Sequence, residues 1–149
     1  MNFNIKRTEL LPCLQCVSGN VERRQTLPIL SNLLFDIKPN SFSVTATDME
    51  VELVVEAKVK LELTTRLTLP ARKLLDICRS LPDNAMLEFD IKEDKAHIKS
   101  GKSRFTLATL PAQEYPVIDI TEETIDFNLS QEKLMSLLTN TQFAMAQQD

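Results

Sequence analysis

Three acidic side chains close together in the sequence are the first candidates for chemistry. Asp48, Glu50 and Glu52 occupy alternate positions, and grouped carboxylates are the ligands of two-metal nuclease sites. Glu50 and Glu52 also share one face of an alternating strand, as the residues of a solvated strand face do. The sequence places no further acid or histidine to complete a metal cage. A metal-dependent nuclease therefore stays open as the alternative function, with the solvated face favoured.

The histidine and the cysteines form no second chemical group. His97 lies at an alternating strand position with neither a nucleophile nor ligand spacing nearby. Cys13 and Cys16 lie on a predicted helix, and Cys78 with His97 would complete a four-ligand zinc site only by chance. We expect buried thiols that act as small hydrophobic side chains. With two glycines in the chain, no glycine-rich phosphate loop is present, and we expect no metal or other cofactor.

Length and charge limit the classes of protein that remain. The 149 residues suffice for one domain and the beginning of another. Lys plus Arg at 17 against Asp plus Glu at 21 gives a net charge of −4, which argues against a simple basic DNA-binding module. Since no leader segment and no long apolar run are present, we expect a cytoplasmic protein without membrane association.

The hydrophobic pattern predicts a repeated unit of strand, helix and strands. A short strand at Phe3 and Ile5 precedes a helix that Thr8 caps, with Pro12 in its first turn. A second helix spans Ala71–Leu81, and Ser130 caps a third helix start after the strand pattern Ile125–Leu129. Strands are predicted at Leu30–Ile37, Phe42–Thr47, Val51–Val59, Leu67–Leu69, Met86–Ile91, Lys95–Lys99 and Arg104–Leu110. The predicted fold is α+β, with two repeats whose helices lie on one face of antiparallel sheets.

Basic residues on the second helix allow two interpretations. Arg72, Asp76 and Arg79 recur at helical spacing on the face away from the core, with Lys73 at its margin. Such a face is either a solvated surface with an internal ion pair or a helix that presents arginine to a phosphate backbone. Arg23 and Arg24, in a loop, allow the same two interpretations.

A basic strand near residue 104 also has two possible roles. Basic and small residues alternate from Lys99 to Arg104, and Phe105 and Leu107 then share a face. Protruding charges normally protect an edge strand from pairing. The same charges could pair this strand with an oppositely charged strand of a partner. In that case the chain would be a protein–protein interaction domain that does not bind DNA.

Six segments in order resemble one known family, the beta subunit of bacterial DNA polymerase III. The resemblance extends from the first residue to the last and rests on segments that are specific when taken together. They are Thr26–Leu30, Thr45–Glu50, Leu69–Lys73, Asp76–Pro82, Ser103–Pro111 and Thr141–Asp149.

The resemblance implies the DNA-clamp fold and a non-catalytic function. Protomers of this family have three similar domains, and two protomers close head to tail into a homodimeric ring around double-stranded DNA. The ring is a processivity factor that tethers the replicative polymerase without sequence specificity. The implied division is a complete first domain over residues 1–116, a linker over 117–123, and the opening strand and helix of a second domain over 124–149.

The resemblance also implies roles for single residues. Arg24, Arg72 and Gln148 match positions that contact DNA, although Arg23 beside Arg24 leaves that register open. The apolar part of the protomer interface is implied for Phe105 and Leu107. Basic positions that face acids of the partner protomer are implied for Lys95, Lys102 and Arg104.

The resemblance explains how a chain with a net negative charge could bind DNA. A ring that slides needs weak, sequence-blind phosphate contacts inside and an acidic outside, so the group Asp48, Glu50 and Glu52 returns to a structural role. The pocket for polymerase and clamp-loader peptides lies in domains beyond Asp149. We therefore expect a piece of a longer protein whose last segment, without a sheet to cover its helix, is loosely ordered or packed on a neighbour.

Overall fold

The fold is built from eight strands and three helices in the described part of the chain. The computed structural model describes residues 1–21, 27–118 and 128–145. In chain order the elements are β1 (Asn2–Lys6), α1 (Arg7–Val17), β2 (Asn32–Lys38), β3 (Ser41–Thr47), β4 (Glu52–Ala57), β5 (Thr65–Pro70), α2 (Ala71–Ser80), β6 (Met86–Lys92), β7 (Lys95–Ser100), β8 (Ser103–Ala108) and α3 (Gln131–Thr141). The chain separates into one unit over Met1–Ile118 and another over Asp119–Asp149.

The first helix begins two residues earlier than its sequence pattern predicted. The carboxylate of Glu9 accepts the backbone N–H of Lys6 at 3.2 Å, so α1 begins at Arg7 and Thr8 lies inside it. Thr8 was therefore wrong as the predicted cap. Pro12 is the sixth helical residue and not part of the first turn, and its ring nitrogen offers no hydrogen to the carbonyl of Thr8.

Each sheet takes its strands from both repeats. One antiparallel sheet has the order β1-β6-β7-β8 and the other β4-β3-β2-β5. The first strand of the first repeat, β1, therefore pairs with β6 of the second repeat, and β5 pairs with β2 of the first. This exchange joins the two repeats into one unit. It also leaves β4 and β8, the last strands of the two repeats, at sheet edges.

One hydrophobic core lies between the sheets and the two helices. Leu10 and Leu14 of α1 and Leu74 and Cys78 of α2 belong to it with inward strand side chains such as Phe89. Helix α1 packs against α2, β1, β3 and β4, and α2 also packs against β5. A smaller cluster on the outer side of β2 joins Leu34, Ala112 and Tyr115. The predicted α+β fold with two repeats is confirmed.

The strand β4 departs from the predicted pattern of one packed and one wet face. Leu53 is 36% exposed and Val54 is 50% exposed, although the two side chains lie on opposite faces of the strand. The reason is position in the sheet, since β4 has a neighbour on one side only. The alternation of apolar and polar residues predicts which side chains share a face of the strand, but it does not show whether the strand lies at the edge of its sheet.

The second unit contributes one described helix. Ser130 caps α3 as predicted, and its hydroxyl accepts the backbone N–H of Lys133 at 3.4 Å. Leu134, Leu137 and Leu138 are all about half exposed. The predicted strand over residues 125–129 lies largely outside the described residues.

Candidate nucleic-acid face and protomer edge

The exposed face of α2 carries three cations and one carboxylate. Its inward side chains are Ala71, Leu74, Leu75, Ile77 and Cys78, so Arg72, Lys73, Asp76 and Arg79 are left on the solvent side. The predicted separation of a core face and a charged face is therefore confirmed. Among the side chains of α2, no ion pair is formed, so Asp76 does not neutralise the arginines.

Two of these cations lie where they do not help the helix. Arg72 and Lys73 are the second and third residues of α2, and no acidic residue is present in that turn. The first turn of a helix has unpaired N–H groups and a partial positive charge, which favours anions and disfavours cations. Helix stability therefore does not explain the two cations. Together with the free N–H groups they favour an anionic partner such as a phosphate.

The exposed side of α1 carries no such charge. Its solvent-facing residues are Thr8, Pro12, Gln15 and Cys16. The basic character of this helix pair therefore comes from α2. The predicted contacts Arg24 and Gln148, like Arg23, lie outside the described residues.

The basic strand is a sheet edge. β8 pairs only with β7, and the side chains of Lys102 and Arg104 are exposed. Lys95 is exposed on β7, directly opposite Ala108 of β8. Phe105 is partly buried and packs on the rim of the core. The structure thus brings the predicted interface residues onto one edge.

Leu107 is buried more deeply than Phe105. Its side chain is 5% exposed and belongs to the core of its own unit. It faces the same side as Phe105 but lies further along the strand, where Ala96 opposite is fully buried. The place of Leu107 beside Phe105 in the apolar part of a protomer interface stays a prediction.

A residue that the sequence pattern did not reveal holds the two helices in place. The guanidinium of Arg7, at the start of α1, donates to the carbonyl oxygen of Cys78 at 2.6 Å and pairs with the carboxylate of Asp83. The backbone N–H of Arg7 also donates to Ala85 at 2.9 Å. Since Cys78 lies in the last turn of α2, Arg7 supplies a donor to a helix end that lacks one. In the sequence, the only sign of this role is the position of a cation in the first turn of α1.

The acidic group does not form a metal site. The carboxylate of Asp48 accepts the backbone N–H groups of Val51 at 2.7 Å and Glu50 at 2.9 Å. These hydrogen bonds, with Val51 first, hold the pKa of Asp48 below its ordinary value. The carboxylate of Glu52 accepts the N–H of Ile118 at 3.2 Å. Among the described residues no three His, Cys, Asp or Glu side chains are grouped to hold a metal, so the nuclease alternative is not supported.

His97 has neighbours that its sequence position did not predict. Across three strands, Asp90, His97 and Thr106 lie side by side, and the Nδ1 of His97 is 3.2 Å from the Thr106 hydroxyl. They line a shallow hollow of about 700 Å³ on the outer sheet face. A nucleophile–base pair needs a third group that orients the base, whereas the carboxylate of Asp90 is bound by Lys92 at 2.8 Å. The row is a polar sheet face.

The three thiols fall into two classes. Cys13 and Cys78 are buried and Cys16 is exposed, so the prediction of buried thiols was wrong for Cys16. Burial raises the pKa of Cys78 to about 11 and also raises the pKa of Cys13. The two buried thiols remain protonated at neutral pH and pack as apolar groups.

Among the described residues no helix is long and apolar enough to cross a membrane.

Comparison with known proteins identifies the family. A family model described as the DNA polymerase III beta subunit, N-terminal domain, matches residues 1–119. The beta sliding clamp of Pseudomonas putida is 49% identical over the whole chain, which spans 41% of that relative. A beta sliding clamp sequence from Vibrio harveyi is 46% identical over 97% of the chain, and the match covers all of that relative.

Solved structures share the architecture as well. The sliding clamp of Pseudomonas aeruginosa, solved with griselimycin bound, is 48% identical and superposes on the whole chain with a TM-score of 0.88. The Caulobacter crescentus pol III beta structure is 34% identical with a TM-score of 0.93, and the chain covers 40% of it. Profile, sequence and architecture agree over the strands, the two helices and both edges described above. The chain belongs to the family of the beta subunit of bacterial DNA polymerase III, and residues 1–119 match the model of that family's N-terminal domain.

Proposed function

We propose that the chain forms the first part of a sliding clamp, a ring that encircles double-stranded DNA and tethers the replicative polymerase without sequence specificity. The observation that carries the proposal is the family match over residues 1–119. The chain spans about two fifths of the Pseudomonas relatives, so it contributes one portion of the ring. Within it, residues 1–116 form the first domain, 117–123 the linker and 124–149 the start of the second.

The α2 face is the part that meets DNA. Its first turn offers Arg72, Lys73 and unpaired N–H groups to phosphate, and none of these groups distinguishes one base from another. Two cations in one turn bind weakly compared with the six to ten phosphate contacts of a typical tight DNA-binding protein. Weak contacts suit a ring that slides. Arg24 and Gln148 add further polar contacts from outside the described residues.

The β8 edge closes the ring against a second protomer, head to tail. Lys95, Lys102 and Arg104 face acids of the partner, and Phe105 supplies apolar contact beside the open backbone of the edge strand. Rim charges of this kind select the partner and speed association more than they add affinity. Leu107, which lies further along the same face of β8, belongs with Phe105 to this apolar contact.

The protein acts as an accessory subunit of the polymerase and not as an enzyme. The match to the DNA polymerase III beta subunit and to beta sliding clamps supports this role. Polymerase and clamp loader bind to parts of the ring beyond this chain. Its three cysteines are unpaired, in keeping with work in the reducing cytoplasm.

A chimera tests the proposal directly. The corresponding residues of the Pseudomonas aeruginosa sliding clamp, which is 48% identical, are replaced by these 149 residues. After loading by the clamp loader of that organism, the chimera should stay on nicked circular DNA during gel filtration and be lost when the DNA is linearised at the same salt. Equal loss from circular and linear DNA would refute encirclement.

Two variants of the chimera test the DNA face. Arg72→Ala should lower the slope of log affinity against log salt by about one contact, while retention on circular DNA at low salt persists. Asp76→Ala on the same helix face is the matched control and should raise affinity or leave it unchanged. If Arg72→Ala and Asp76→Ala behave alike, α2 does not face phosphate.

A further inference from the structure

The described cations of the first unit that form no ion pair fall into three groups. One group lies on the exposed face of α2 and another along the β8 edge, and the proposed function uses both. The third group comprises Lys6, Lys58 and Lys60. These three side chains line one hollow of about 430 Å³, which we term the lysine hollow. Neither DNA contact at α2 nor ring closure at β8 requires it.

Two segments that are distant in the sequence bring these lysines together. On β1, Asn4 and Lys6 are exposed because the alternate residues of the strand are buried in the core. Beyond the end of β4, Lys58 and Lys60 are exposed on either side of Val59, which is 5% exposed and belongs to the core. Burial of Val59 therefore holds this segment beside β1, and the three lysines line the hollow between them.

Among the described residues that line the lysine hollow, one is acidic, and its carboxylate is already engaged. Glu9 accepts the backbone N–H of Lys6 at 3.2 Å at the start of α1. None of the three lysines forms an ion pair with it or with another described residue. The hollow is therefore positive on a chain whose net charge is −4. Because charges beyond about 10 Å are largely screened, this local excess favours an anionic ligand.

We propose that the lysine hollow binds condensed phosphate, a chain of two or three phosphate groups that is either free or part of a nucleotide. Lysine is a mobile point charge with three donors and binds phosphate oxygens, and the side-chain amide of Asn4 adds a neutral donor. The volume of the hollow lies in the range of small-molecule sites, about 300–1,000 Å³. Three cations from two segments match several linked phosphate groups better than a single one. The lining comes from a few residues of each segment, which is too short a groove for an extended acidic peptide.

Binding at the lysine hollow should be weak, because the three lysines are exposed. An exposed ion pair changes an affinity by a factor of about five at most. We therefore expect a dissociation constant on the order of 1 mM for tripolyphosphate at low salt. Half-molar salt should weaken the binding strongly, since exposed charges are screened.

Titration of the 149-residue chain with tripolyphosphate, followed by the NMR signals of its backbone amides in the absence of magnesium, tests the proposal. The signals of residues 4–9 and 58–60 should shift along one saturating curve. The double variant Lys58→Gln/Lys60→Gln should bind about tenfold more weakly. Glu9→Gln keeps an oxygen that can accept the N–H of Lys6 but removes the negative charge, so it should bind about two- to fivefold more tightly. A parallel titration with dATP identifies the source: an affinity equal to or below that of tripolyphosphate indicates the free phosphate chain, and a higher affinity indicates a nucleotide.

The matched control removes the same charge from other strands. Lys38→Gln/Lys92→Gln changes two exposed lysines that do not line the hollow, and it should bind tripolyphosphate like the parent. Far-UV circular dichroism should show all variants folded.

Four results would overturn the proposal. They are saturating shifts confined to the first turn of α2, an unchanged affinity of Lys58→Gln/Lys60→Gln, binding of sulfate or single phosphate as tight as that of tripolyphosphate, and tighter binding of penta-glutamate, which would indicate an acidic peptide. None of these results depends on DNA encirclement by the chimera, so the two proposals can fail separately.

Discussion

Removal of the Arg7 side chain should loosen the junction between the two helices. The guanidinium is 14% exposed and donates to Cys78 and Asp83. In Arg7→Met the apolar stem is kept and both donors are lost. The carbonyl of Cys78, in a residue with no exposed surface, then has no side-chain donor at the end of α2.

The two partners of Arg7 should contribute unequally. A hydrogen bond from a charged donor contributes about 1.5–3 kcal/mol to stability, and an unpaired buried carbonyl costs a similar amount. The two values describe partly the same loss, so they are not added in full. Asp83 is 93% exposed, so its ion pair is worth at most about 1 kcal/mol. We expect Arg7→Met to lower the free energy of unfolding by roughly 2–4 kcal/mol and Asp83→Asn by less than about 1 kcal/mol.

Urea unfolding, followed by circular dichroism, measures both changes. The midpoint should move to lower urea for Arg7→Met with the slope unchanged, which would show that the same surface is exposed on unfolding. Arg7→Lys keeps the charge but cannot donate in two directions from a planar group, and should lie between the parent and Arg7→Met. Equal losses for Asp83→Asn and Arg7→Met would contradict the reasoning, since the exposed ion pair would then carry the stability.

Further predictions concern the buried polar and thiol groups. Burial raises the pKa of Cys78 from 9.0 to about 11, so the protonated thiol contributes fully to stability below pH 9, and this contribution is lost as the pH rises to about 11. Up to about 2 kcal/mol of the free energy of unfolding should disappear over that pH window. In Cys78→Ala the free energy of unfolding should fall less steeply with pH. The Thr68 hydroxyl accepts from the amide of Asn32 at 3.0 Å, donates to the carbonyl of Leu110 at 2.8 Å and accepts the N–H of Leu110 at 2.9 Å. Thr68→Val should lower the free energy of unfolding, measured in urea, by about 2–4 kcal/mol. Thr68→Ser, which keeps the hydroxyl, should lower it much less. An aromatic disulfide reagent at pH 8 should label Cys16 alone in the native chain, and rapid labelling of Cys78 would contradict its burial.

The sequence predicted the elements well because each depends on local spacing. Helix α2 was predicted within one residue at its end, since its five buried positions recur every three or four residues. The exchange of β1 and β5 between the two sheets was not predictable in this way. The register between β1 and β6 joins residues about 80 to 90 positions apart, and no period within either strand encodes it.

Among the site residues, too, those that depend on local spacing were predicted and those with partners distant in the sequence were not. The helical spacing predicted that Arg72 lies on a charged face, which the structure confirms as exposed; its contact with DNA was implied by the resemblance alone and stays a prediction. Arg7 and the row of Asp90, His97 and Thr106 were missed because their partners come from other strands or from the far end of another helix. The alternation of β8 predicted that Phe105 and Leu107 share a face, whereas the deeper burial of Leu107 depends on what lies beneath it in the core.

Net charge was a poor guide for a reason that the structure makes clear. A value of −4 averages an acidic strand, a basic strand and a basic helix turn, which lie on three separate surfaces. The field at a surface depends on the charges within about 10 Å of it. The net charge therefore gives no information about the charge at any one of these surfaces, and the same chain can carry an acidic edge, a basic edge and an anion-favouring helix end.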